Sequence, residues 1–109
     1  MVKFKYALKG LWIGLSNKSI QLQIMLAIIV SIIYAFIGIS MQEWIIVIAL
    51  ILLVILAEWL NTLIEKLVDY ISLSKNKQAG DIKDMASGLV LLVCISAAII
   101  GLIILFNNI

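Results

Sequence analysis

Residues 57–70, "AEWLNTLIEKLVDY", carry Glu58, Asn61, Thr62, Glu65 and Asp69. On a helix turning about 100° per residue, with Glu58 at zero, Asn61 falls at about −60°, Thr62 at about +40°, Glu65 at about −20° and Asp69 at about +20°. All five share one face, which extends roughly 16 Å along the axis from Glu58 to Asp69. Carboxylates crowded on one face repel each other, and burial strengthens the repulsion. The stripe therefore needs a cation opposite it, either a lysine from a neighbouring segment or a divalent metal. Mg²⁺ prefers carboxylates and water and usually arrives bound to nucleotide phosphate. A second constellation is "AGDIKDMASG", residues 79–88. Lys83 can hold a phosphate as a point charge. Asp81 and Asp84 fall near the start of the next helix, where negative charge is favoured. Ala86, Ser87 and Gly88 are small enough to let another helix approach closely. A structural reading is also open at this point, in which the stripe joins an ion-pair network such as Glu65 with Lys83.

The elements that position these residues follow from composition. The chain has 109 residues, of which 65% are hydrophobic and 13% charged, with no proline and a mean hydropathy of +1.25. Soluble domains are about half apolar and about a quarter charged. The chain is therefore read as an all-α integral membrane protein. Three apolar runs are each near the roughly 20 residues needed to cross a hydrocarbon core. They cover about 20–39, 44–70 and 85–106, joined by the short links "SMQE" and "SLSKNKQAGD". The first run is too long for a signal-peptide core, and no small-residue cleavage site follows it. Nothing marks a second domain, and no feature points to nucleic acid.

All eight basic residues are lysine, and histidine is absent. Acids and lysines must therefore carry any chemistry. Cys94, the single cysteine, allows no intrachain disulfide and reads as a small apolar residue. Lys3, Lys5, Lys9 and Lys18 precede the first span, and Lys66, Lys75, Lys77 and Lys83 lie around the second link. The link "SMQE" and the tail "NNI" have none. Three spans put both lysine-bearing segments on one side, which the positive-inside rule makes cytoplasmic. The N-terminus is expected inside and the C-terminus outside. Residues 2–15, "VKFKYALKGLWIGL", repeat apolar positions at helical spacing (Phe4, Ala7, Leu8, Leu11, Leu15). They predict an amphipathic helix in the cytoplasmic interface, anchored by Tyr6 and Trp12. The outer half of the second span, "WIIVIALILLVILA", has no polar group. A transport path would need polar groups across the whole bilayer, whereas an enzyme acting on a lipid head group would not.

The motifs resemble those of the bacterial diacylglycerol kinase and undecaprenol kinase family. "EWLNTLIEKLVD" (58–69) is similar to the family pattern Glu-x-x-Asn-(Ser/Thr)-x-(Ile/Leu/Val)-Glu-x-x-Val-Asp. "IKDMASGLVLL" (82–92) resembles the second motif, "YALKGLW" (6–12) the surface helix, and "QEW" (42–44) the opening of the second span. The likeness covers nearly the whole chain. It implies a homotrimer of three-span protomers, each with an N-terminal surface helix, that phosphorylates a membrane lipid alcohol from ATP and Mg²⁺ in sites shared between protomers. Carried over residue by residue, Glu58 would be the general base and Asn61 would orient lipid and nucleotide groups. Glu65 would hold the metal. Lys83 and Asp84 would contact the nucleotide, with Asp69 and Tyr6 near it. No P-loop is expected, and Gly80 stands without a following Gly-Lys-Ser/Thr sequence.

The departures are specific. The family has an acid before the first span that serves as a second metal ligand, whereas here the stretch reads "LSNKSIQLQ". Ser16 or Asn17 falls near that place, and no acid precedes Glu43. Either the metal is held with fewer protein acids, or activity is weak or lost. The usual lysine before Asp81 is Gly80. The "GLIILF" ending and the "QEW" start are more similar to the Gram-positive branch, which favours undecaprenol. Diacylglycerol is the alternative substrate. A non-catalytic oligomeric membrane protein that keeps the stripe structurally is the reading from a different class.

Overall fold

Four helices account for nearly all of the computed structural model, which describes residues 2–72 and 76–109. They are α1 (Val2–Leu15), α2 (Lys18–Ile37), α3 (Met41–Ile71) and α4 (Lys77–Asn108). Among the described residues, α2, α3 and α4 are long and apolar enough to cross a membrane. Lys75 lies outside the described residues.

Capping chemistry decides where each helix begins and ends. Asn17 Oδ1 accepts from the backbone N–H groups of Ser19 (3.0 Å) and Ile20 (3.4 Å), which opens α2. Gly38, at φ 80°, closes it in the left-handed conformation and donates its N–H to the Tyr34 carbonyl. Ser40 and Glu43 form a reciprocal capping box at the start of α3. Asn76 Oδ1 accepts from the Ala79 N–H at 2.8 Å and opens α4. The expected spans differ from the helices for this reason. Helix α2 ends at Ile37 rather than Ile39, because Gly38 turns the chain. Helix α4 begins at Lys77, so residues 77–81 of the expected link are helical. Hydropathy marks where a chain enters lipid, whereas caps mark where it starts to coil.

Helices α3 and α4 pack antiparallel and form the most extensive pair. At one end Glu43 Oε2 accepts from Asn108 Nδ2 (3.0 Å) and Asn107 Nδ2 (3.4 Å). At the other, Lys83 Nζ reaches Asp69 Oδ1 at 2.8 Å. Between these ends the inward side of α4 recurs every three or four residues, through Lys83, Ala86, Val90, Cys94, Ala97, Gly101 and Ile104. Helix α2 crosses this pair near the Glu43 end. Tyr34, Val47 and Ile104 are buried there together, with Trp44, Ile51 and Leu105 against them. The Tyr34 hydroxyl donates to the Gly101 carbonyl, joining α2 to α4.

Many large apolar side chains point outward, Phe36 being 88% exposed. Acyl chains solvate such surfaces as well as protein does, so lateral exposure carries no penalty in a bilayer. Length is the stronger constraint. Helix α3 has 31 residues, about 46 Å at 1.5 Å each, against a hydrocarbon core of about 30 Å. About 20 residues from Trp44 reach Ile64. Glu65 and Asp69 then lie in the overhang, and Glu58 lies about 10 Å deeper than Glu65.

Removing the Tyr34 hydroxyl should loosen α2 without touching the stripe. Tyr34→Phe leaves the Gly101 carbonyl without its donor and should lower stability by about 0.5–1.5 kcal/mol. Unfolding curves in detergent check this.

Candidate active site

The face of α3 that carries Glu58 through Asp69 is graded in its exposure. Asn61 is buried, Glu58, Thr62 and Glu65 are half-buried, and Asp69 is exposed. Residues three and four apart on a helix are neighbours, and here they touch: Asn61 Nδ2 donates to Glu65 Oε1 at 3.3 Å. That bond fixes the amide, and it leaves Asn61 Oδ1 buried with no hydrogen-bond partner among the described residues. Buried acceptors without partners are rare, and each one calls for an explanation.

Helix α4 brings Lys83 across to the wet end of this face. The cation pairs with Asp69 rather than with Glu65, the partner offered as an example by the structural reading. Their side chains are 39% and 66% exposed, so water and salt screen the pair. Asp84 follows Lys83 on the helix and therefore projects from another side, where it is exposed, as is Asp81. Tyr6, on α1, is 65% exposed. A single chain thus gathers Glu58, Asn61, Thr62, Glu65 and Asp69 on one face of α3, with Lys83 of α4 across from Asp69. It leaves Asp84 and Tyr6 on open surface.

The junction between α1 and α2 offers no substitute for a metal-binding acid. Asn17 Oδ1 is occupied by the first turn of α2, and Ser16 Oγ donates to the Trp12 carbonyl at 2.7 Å. Among the described residues, no three Asp, Glu, Cys or His side chains converge closely enough to hold a metal ion. The donor set still suits one Mg²⁺ delivered with a nucleotide. Such an ion keeps several waters, takes phosphate oxygens and needs only one or two protein carboxylates. Glu65 supplies a carboxylate, and the unpartnered Asn61 Oδ1 lies on the side chain bonded to it.

Two structural contacts have weak signatures in the sequence. Glu43 holds both Asn107 and Asn108, although each reads alone as a polar residue at a helix end. Gly14 is buried, whereas residues 3–13 and Leu15 of α1 are exposed. A Cβ there would run into the indole ring of Trp59.

Comparison with known families adds one finding. The family model described as Prokaryotic diacylglycerol kinase matches residues 5–105. No curated protein matches the chain significantly.

An ion pair as exposed as Lys83–Asp69 should contribute little to the fold. Lys83→Ala should melt in detergent at the same temperature as the unaltered protein. A large drop would make the pair structural glue.

Proposed function

The chain belongs to the prokaryotic diacylglycerol kinase family, a family of membrane lipid kinases that use ATP as phosphate donor, and from that premise we propose that it phosphorylates undecaprenol to undecaprenyl phosphate. The observation that carries the catalytic assignment is the graded stripe of α3 with Lys83 set across from its wet end. A lipid alcohol reaches such a site from the membrane side and a nucleotide reaches it from water.

Glu58, deepest on the stripe, takes the proton of the lipid hydroxyl. The freed oxygen attacks the γ-phosphorus in line, and the bond to the β-phosphate oxygen breaks as ADP leaves. Glu65, with Asn61 Oδ1, would hold the Mg²⁺ that offsets phosphate charge. Asn61 orients Glu65 through the 3.3 Å bond between them. Lys83 exchanges Asp69 for a phosphate oxygen when nucleotide binds, and its exposed position leaves it free to do so. Phosphoryl transfer needs positioning and charge neutralisation more than covalent help, and these residue types supply both.

The described lysines support a cytoplasmic site. Those of α1, the start of α2, the end of α3 and the start of α4 share the end of the bundle that holds Asp69. The N-terminus is then cytoplasmic and the C-terminus outside. A homotrimer with shared sites accounts for two further features. It gives the outward apolar faces protein partners, and it allows Asp84 and Tyr6 to reach the nucleotide of a neighbouring protomer. The preference for undecaprenol over diacylglycerol is supported by the "QEW" and "GLIILF" segments alone.

Transfer of labelled γ-phosphate from Mg-ATP in mixed micelles tests the reading, with undecaprenol and diacylglycerol offered separately. Undecaprenyl phosphate is the expected product, and chelation of the metal should abolish it. Phosphatidic acid alone would reassign the substrate. No product from either lipid would make this a non-catalytic member.

A further inference from the structure

Helix α1 meets α3 at a place that follows from one residue having no side chain. Gly14 is buried although its neighbours Ile13 and Leu15 are exposed. An added Cβ would overlap Cζ2, Cη2 and Cε2 of the Trp59 indole, so that edge of the ring fills the place a side chain at position 14 would take. Gly10, one turn earlier, has open space where a Cβ would stand. The requirement for glycine is thus local to position 14.

Trp59 directly follows Glu58 in the chain. It lies about 100° around α3 from Glu58, and about 60° beyond Thr62. The indole therefore edges the stripe on the Thr62 side, and α1 seated on it forms a wall beside Glu58. From this geometry we infer that the Gly14–Trp59 contact is a seat that holds α1 over the reaction centre, and that Trp59 is a positioning residue for the lipid alcohol. The inference rests on the kinase reading for its effect on turnover, but the seat itself is a contact that exists without substrate. Lys83 and Asp69 lie about 15 Å further along, so of the groups assigned to the nucleotide only Tyr6, on α1 itself, depends on the seat.

Two variants disturb the seat in opposite ways. Gly14→Ala pushes the indole away, and Trp59→Ala removes it without any clash. Each should raise the KM for the lipid, or lower kcat, by about tenfold or more, since small displacements of a reacting group are costly. The KM for ATP should change by less, since Tyr6 alone of the nucleotide-facing groups rides on α1. Each should also speed tryptic cleavage at the lysines of α1, a readout that needs no activity. The double variant should cost no more than Trp59→Ala alone, because both changes act on one contact. Gly10→Ala should behave as the unaltered protein in every assay. Unchanged lipid kinetics and unchanged cleavage in Trp59→Ala would overturn the inference, as would additive losses in the double variant. Should the unaltered protein turn over neither lipid, the kinase reading fails, while the cleavage rates still decide whether the seat exists.

Discussion

A helix of about 46 Å cannot be contained in a hydrocarbon layer of about 30 Å, and this mismatch organises the molecule. Helices α3 and α4 have 31 and 32 residues, and each must leave the bilayer at one end at least. One end is fixed by the capping box at Ser40 and by Asn107 and Asn108 on Glu43, immediately before Trp44. The excess length therefore appears at the other end, where the acids and lysines are. Carboxylates that would be expensive at mid-membrane become tolerable there, because the stripe runs outward from Glu58 into water.

The same overhang separates the chemical roles. A lipid alcohol cannot climb far out of the membrane, and a triphosphate cannot enter it. In the proposed reaction a single helical face crossing the boundary would serve both, with its deepest acid near the alcohol and its outer residues near the phosphates. Lys83 comes from α4 because the antiparallel pairing places the start of that helix beside the end of α3. The pair it forms with Asp69 is open to water, which suits the exchange of partners proposed for Lys83.

Local patterns in the chain encode much of this arrangement. The stripe at 58, 61, 62, 65 and 69 follows from helical spacing alone, and the three spans follow from hydropathy. The burial of Asn61, and of its Oδ1 without a partner among the described residues, is not legible in the sequence, because it depends on how other helices cover α3. Pairing of Lys83 with Asp69 rather than Glu65 depends on the register between two helices, which no local pattern encodes. Asn17 reads in sequence as the remnant of a metal ligand, yet it precedes Lys18 at the start of α2 and caps that helix. An asparagine at a helix start can meet either demand, and only the hydrogen bonds show which one it meets. Gly14 is hidden for a similar reason. Its importance lies in the indole it faces, 45 residues along the chain.

The most direct test of the division of labour along the stripe is the turnover of Glu58→Gln in micelles, with folding checked by its melting curve. The substitution keeps size and polarity and removes only the ability to take a proton. The result expected is a kcat lower by about 100-fold or more with the KM for ATP unchanged. Turnover close to that of the unaltered protein would contradict the role of Glu58 as the base and require the proton to leave by another route.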